Sequence, residues 1–189
     1  MIKIGILGDI GSGKSYVAQN FGYPVFNADD EVAKLYRTDK KIYKKLNKIL
    51  PEYFDSFPIE KKAVLHAILA HNNNLKKIVK IVHLEIRKKM NIFLKKQSKQ
   101  KIIILDIPLL MENKINKKKD ILVYVDSKKS DILKRLKKRD NFNNKLLIKF
   151  KNIQFSPEYK KKKSKFIIKN NFTKKTVKKG IRHILKEIL

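Results

Sequence analysis

Cysteine is missing from the 189 residues, which excludes a disulfide framework, a cysteine-ligated metal and a thiol nucleophile. No apolar run approaches the roughly 20 residues that a bilayer-spanning helix needs. The opening stretch Met1-Ile2-Lys3-Ile4-Gly5-Ile6-Leu7 has no basic leader and runs straight into glycines, unlike a secretory signal. These absences predict a soluble, cytoplasmic protein with no membrane partner. Acidic residues are few, 17 against 47 lysines and arginines, leaving a formal charge of +30. Arginine is scarcer still: it occurs only at Arg37, Arg87, Arg135, Arg139 and Arg182.

A charge of that size favours anionic ligands and, where cations cluster, nucleic acid. Here the lysines are spread over almost every polar segment beside abundant Ile and Asn, the pattern of drift toward A/T-rich codons. No interleaved aromatics or recognised binding module accompany them, so nucleic acid is not the expected partner. The run Lys160 to Lys163 reads as a solvated helix face. Against a lysine background, a retained arginine points to a need for planar, bidentate geometry.

At this length one core is expected. Ile2 to Leu7 is a short isoleucine-rich run ended by glycines and predicts a buried parallel strand, followed by helical spacing through Val17, Ala18 and Phe21. Pro24-Val25-Phe26 is a second strand candidate that delivers Asn27-Ala28-Asp29-Asp30 at its carboxyl end, where ligands sit in open α/β sheets. From Glu31 to about Gln97 the pattern is helical, with Ser56 and Pro58 suited to one helix start and Asn74 to the cap of a long helix. Lys101 to Asp106 and Ile121 to Asp126 are further buried strands ending in a carboxylate. Ser127 to about Tyr159 is helical and cationic, Phe166-Ile167-Ile168 is a last strand, and Thr173 caps a closing helix. Strands alternating with helices predict an α/β fold with a parallel sheet.

Gly8-Asp9-Ile10-Gly11-Ser12-Gly13-Lys14-Ser15 matches G-x-x-x-x-G-K-[ST] between a predicted strand and a predicted helix, the context that makes it a P-loop. Glycines let successive N–H groups turn inward around phosphate oxygens, helped by the helix N-terminus. Lys14 then reaches the β- and γ-phosphates and the Ser15 hydroxyl ligates magnesium, so a nucleoside triphosphate with Mg²⁺ is the expected occupant. Asp106 either addresses the magnesium shell from its strand end or caps a turn. Of Asp29 and Asp30, one can orient an acceptor hydroxyl and take its proton while the other caps the helix. Arg135 and Arg139, four apart, share a helix face and can close over a nucleotide. His83 and Arg87 are spaced alike, but the histidines give no metal-ligand spacing.

Taken together, these residues resemble the dephospho-CoA kinase family along nearly the whole chain. The resemblance rests on the P-loop, on Asn27-Ala28-Asp29 in place of Asp-Ala-Asp, and on His83-Leu84-Glu85-Ile86-Arg87 in place of His-Pro-x-Ile-Arg. The most specific stretch is Leu105-Asp106-Ile107-Pro108-Leu109-Leu110-Met111-Glu112, and Tyr124-Val125-Asp126, Arg135-Leu136, Arg139-Asp140, Gln154, Glu158, Lys160 and Phe166-Ile167-Ile168-x-Asn170 follow in order. The chain departs from the family pattern at Asp9, Tyr16, Phe150 and Ser156, and at Phe172, where glycine is expected.

The resemblance implies transfer of the γ-phosphoryl of ATP to the ribose 3′-hydroxyl of dephospho-CoA. It implies Asp29, Lys14 and Arg139 as catalytic residues, and Gly11, Ser12, Gly13, Lys14, Ser15, Tyr16 and Arg135 around ATP. Asp29, Arg87 and Asp106 fall on the acceptor side, and Ser15 and Asp106 at Mg²⁺, with Asp30 left as the helix cap. The expected fold is a three-layer P-loop NTPase sandwich forming a single domain over 1–189. Its core covers 1–30, 98–134 and 164–189, with a helical acceptor-binding insertion over about 31–97 and a helical lid over about 135–163. The small-molecule substrate calls for no macromolecular partner, and a monomer or weak homo-oligomer is expected. Two rivals stand beside this: a nucleoside or nucleoside-monophosphate kinase, and a basic nucleic-acid-binding P-loop protein.

Overall fold

The computed structural model describes residues 1–138 and 142–189. Contacts divide the chain into two compact units, residues 1–27 with 97–189, and residues 28–96.

The first unit is built on five strands: β1 (Ile2–Gly8), β2 (Val25–Asn27), β3 (Ile102–Asp106), β4 (Ile121–Asp126) and β5 (Phe166–Lys169). All neighbours pair in parallel, in the order β2-β3-β1-β4-β5. Runs of Ile, Val and Leu form the inner strands β1, β3 and β4 because the middle of a parallel sheet is covered on both faces and leaves little polar alternation to satisfy. β3 is buried at every position. On one face Ile4, Ile6, Ile102, Ile104, Val123, Val125 and Ile168 pack with Val17, Ala18 and Phe21 of α1 (Lys14–Asn20) and with Val177, Ile181 and Ile184 of α9 (Lys174–Ile188). On the other face Gly5 leaves the space that Leu110 fills, since a Cβ there would lie 2.4 Å from the Leu110 side chain. The loop after β3 is thereby clamped to the strand that leads into the P-loop.

Three short helices stand where the sequence predicts one cationic helical stretch: α6 (Lys129–Lys137), α7 (Asn144–Asn152) and α8 (Pro157–Lys163). Asn143 and Ser156 start the last two, each accepting a backbone N–H with its side chain. The lysine run in α8 is not a uniformly solvated face. Lys160 is buried, its Nζ 3.2 Å from Glu112 Oε1 and donating to Gln154 Oε1 at 3.0 Å. Glu112 Oε1 also accepts the Phe155 N–H at 2.9 Å, so one carboxylate ties the loop after β3 to the turn between α7 and α8.

Removing one partner of a buried ion pair strands the other charge and costs about 3–5 kcal/mol, whereas removing both is far milder. Lys160→Met is therefore expected to lower the thermal midpoint by roughly 10 °C, and Lys160→Met/Glu112→Leu to recover most of that loss. Calorimetric scans decide: a midpoint within about 2 °C of the parent for the single variant means the pair is not buried in solution.

The second unit is helical: α2 (Ala28–Thr38), α3 (Lys40–Ile49), α4 (Lys61–Ala70) and the 25-residue α5 (Asn72–Lys96). α5 presents Leu75, Ile78, Val82 and Ile86, a 3–4 spacing that keeps one face inward, and packs on α2, α3 and α4. Asp39 caps α3 by accepting the N–H groups of Lys41 and Ile42.

Two of the predicted starts in this unit are corrected. Ser56 and Pro58 lie in the loop before α4, which begins only at Lys61, after Ile59 has been buried and its N–H given to the Tyr36 carbonyl. Asn74 does not cap α5 but lies within its first turn, buried, and donates from Nδ2 to the Ala67 carbonyl at 2.9 Å. It thus satisfies an orphan carbonyl at the end of α4. In the first unit Thr173 does occupy the N-cap position of α9, but its hydroxyl makes no cap bond and is tied with its N–H to Asn171 Oδ1.

Candidate functional site

The P-loop joins β1 to α1 through a turn that needs glycine. Gly13 has φ +88 and a Cβ on it would come within 2.6 Å of Asn170 Nδ2. Gly8 has φ +151, and a Cβ there would meet Ser12 Oγ at 2.6 Å and the Val125 carbonyl at 2.9 Å. The loop is braced from two neighbouring strand ends. The Ser12 carbonyl accepts from Ser127 Oγ at 3.0 Å, just after β4, and from Asn170 Nδ2 at 2.8 Å, just after β5. In the sequence Asn170 stands only as part of a pattern and Ser127 only as the start of a helical stretch, with no bracing role expected of either. An asparagine just past the last predicted strand is the available signal for the first, and a lone serine offers none for the second.

Lys14 arches back over this loop, its Nζ donating to the carbonyls of Gly8 at 3.2 Å and Asp9 at 2.9 Å. Its ammonium therefore sits at the mouth of the turn. Ser15 and Tyr16 are exposed on the first turn of α1. Asp9 faces the phenol of Tyr124, which donates to Asp9 Oδ1 at 3.4 Å. Burial above all, then the carboxylates of Asp9 and Asp126, pushes the Tyr124 phenol well above its ordinary pKa. It stays a protonated donor throughout the working pH range. An added carboxylate on a phosphate-binding loop is thus partnered by a neutral group.

Asp106 ends β3 beside β1 and is only 3% exposed. The β2–β3 register sets Asn27 opposite it, and Asn27 Nδ2 donates to Asp106 Oδ2 at 3.3 Å. An aspartate at 27, as in the family pattern, would set two carboxylates against each other; the amide gives Asp106 a donor. α2 starts at Ala28, directly after β2, so Asp29 and Asp30 both lie within its first turn and neither holds the cap position. Both are exposed and belong to the helical unit, as does Arg87, exposed on α5.

Arg135 is exposed on α6 with its guanidinium carbon 4.3 Å from the Phe172 ring centroid. Arg139 lies outside the described residues. A cleft of about 290 Å³ opens beside Asp9 and Ile10, flanked by Lys129, Lys151 and Gln154. Among the described residues no group of three or more His, Asp or Glu side chains gathers as a metal cluster, and no helix is long and apolar enough to cross a membrane.

A glycine-built phosphate cradle beside a buried strand-end carboxylate fits many phosphotransferases. What narrows it is the match of residues 2–175 to the family model described as dephospho-CoA kinase. The chain belongs to the dephospho-CoA kinase family. It is 33% identical over 187 residues to the dephospho-CoA kinase of Wolbachia pipientis wMel, spanning 96% of this chain and 95% of that protein. The fold is shared with TT1252 from Thermus thermophilus, with TM-score 0.76 and 23% identity over 100% of this chain and 98% of that one. It is shared too with the dephospho-CoA kinase from Campylobacter jejuni, with TM-score 0.63 and 21% identity over 98% and 96% of the two chains. The family's reaction, phosphorylation of dephospho-CoA with ATP as donor, is accordingly the activity of this chain, and a free nucleoside is not its favoured acceptor.

Proposed function

We propose a division of labour among this kinase's own residues in which the loop holds the donor, the helical unit holds the acceptor, and Asp29 moves the proton. The glycine turn at residues 8–13, with the Lys14 ammonium at its mouth, carries this reading. Inward-turned amides and one flexible cation are what a triphosphate's β- and γ-oxygens need. Lys14 would leave the Gly8 and Asp9 carbonyls for those oxygens.

Mg²⁺ fits the same residues. It keeps several waters and asks a protein for only one or two ligands beside substrate phosphates. The exposed Ser15 hydroxyl and the Asp106 carboxylate would supply that set. When bound, the ion would offset negative charge on the donor's phosphates. Asp29 receives the proton of the ribose 3′-hydroxyl as its oxygen bonds to the γ-phosphorus and the bond to the β-phosphate bridging oxygen breaks, releasing ADP. Arg87 contacts the acceptor, and Arg135 and Arg139 cover the nucleotide. Such catalysis is chiefly positioning and charge stabilisation. The kinase acts in the cytoplasm, as a monomer or weak homo-oligomer, on small molecules and not on nucleic acid.

A coupled ADP-release assay over an acceptor panel tests the acceptor assignment. Dephospho-CoA is expected to exceed adenosine and nucleoside monophosphates in kcat/KM by at least about 100-fold, because a site loses most of its discriminating energy when a recognised group is missing. Faster turnover of any nucleoside than of dephospho-CoA overturns the assignment.

A further inference from the structure

Phe172 stands where the family pattern has glycine, and it pays for the place with its backbone. Its φ is +63, in the left-handed region that glycine occupies freely and a bulky aromatic residue occupies only under strain. Strain of this kind persists where the surrounding structure holds it, and it clusters at sites that use it.

What the ring gains is position. It borders the phosphate cradle, with one of its edge carbons 3.4 Å from where a Cβ on Gly13 would be. Its backbone N–H donates to Asn170 Oδ1 at 2.9 Å, while the Nδ2 of the same asparagine holds the Ser12 carbonyl at 2.8 Å. A single side chain therefore fixes the ring relative to the loop. The ring leans on the apolar cluster of Ile132, Leu136 and Leu147 yet is only half-buried. Its accessible part is met by the Arg135 guanidinium at 4.3 Å, and Arg135 is one of five arginines in a chain that otherwise uses lysine.

We infer that Phe172 is the stacking platform for the nucleotide base of the phosphoryl donor, with the Arg135 guanidinium as the opposing plate. The inference rests on the reading of the P-loop as the ATP cradle. An aromatic face and a planar guanidinium are the two protein groups that bind a base through its π-face. A base between them needs about 7 Å, two contact distances of roughly 3.5 Å. The contact in the structure is shorter than that, so Arg135 moves off the ring as the base arrives and settles on its far side.

Titration calorimetry with Mg·ADP and Mg·pyrophosphate separates this from a bracing role, because only ADP carries a base while both occupy the cradle. Phe172→Gly and Phe172→Leu are expected to raise Kd for ADP about 10-fold and to leave Kd for pyrophosphate within about twofold. Phe172→Tyr, which keeps the ring, is expected to bind ADP within about twofold of the parent. The leucine variant carries the test should the glycine variant fail to fold. Equal weakening of ADP and pyrophosphate would make the ring a brace for the loop and overturn the inference, as would unchanged ADP affinity. A parent protein that binds neither ligand would overturn the cradle itself, a result distinct from either.

Discussion

Asp29→Asn is expected to lower kcat by about 100- to 10,000-fold, the range lost when a positioned general base is removed. The amide keeps the shape and the hydrogen-bonding capacity of the side chain but cannot accept the proton as the new phosphorus–oxygen bond forms. Asp29 is not a residue of the P-loop; it stands on the first turn of α2, two residues past the end of β2. Affinity for Mg·ADP should therefore stay within about twofold of the parent. Asp30 supplies the internal control, being an exposed carboxylate of the same turn. Asp30→Asn should leave kcat within about threefold, the scatter expected of a surface change. Single-turnover measurements, which exclude product release, read the chemical step directly. Turnover near the parent value in Asp29→Asn, or an equal loss in Asp30→Asn, would remove Asp29 from the role.

The second large effect is expected at Gly13. An alanine there must hold φ near +88, and its Cβ would press to 2.6 Å on Asn170 Nδ2, the group that fixes the Ser12 carbonyl. The backbone penalty alone is about 1–2 kcal/mol. Displacing Asn170 then forfeits a buried hydrogen bond worth about 1 kcal/mol. The greater consequence is geometric. A shift of the order of 1 Å in a positioning group can cost about 100-fold in rate, so kcat/KM for ATP is expected to fall at least that far. Gly22 separates strain from collision, since it too has positive φ, +75, but an added Cβ would meet nothing within 4 Å. Gly22→Ala should cost about 1 kcal/mol of stability and leave kcat/KM unchanged. If both alanine variants behave alike, the close approach to Asn170 has no bearing on the cradle.

The parts of the molecule legible in the sequence are those fixed by local pattern. Strands β1, β3 and β4 are runs of buried β-branched and aliphatic residues, and no surface helix carries such runs. The P-loop is legible because its glycines are demanded by backbone geometry within eight residues. Local pattern misleads where a distant element decides. Asn74 looked like a cap for its own helix, yet the carbonyl it serves belongs to the helix before. Lys160 looked solvated in a lysine run, yet Glu112, far away in sequence, draws it inward. The bracing of Ser12 by Ser127 and Asn170 depends on which strands flank β1, and strand order is not written in any local window. Phe172 was visible as a departure, but not its strain or its guanidinium partner, which exist only in three dimensions.

The sheet order also bears on how the protein is made. β1 is synthesised before β2 to β5 and lies at the centre of the sheet, but both its neighbours, β3 and β4, follow it by more than 90 residues, with Ile2 opposite Ile102 and Ile4 opposite Ile121. At about 5–20 residues per second, an emerging chain carries its isoleucine-rich first strand unpaired for on the order of 10 s. The helical segment 28–96 can form during that interval from contacts close in sequence. Until residue 126 has left the ribosome, the first strand has no completed bed to lie in and the phosphate loop behind it no walls. A nascent chain is thus exposed to aggregation from the emergence of β1 to that of β4, and a chain broken off before that point has a P-loop sequence but no phosphate-binding loop.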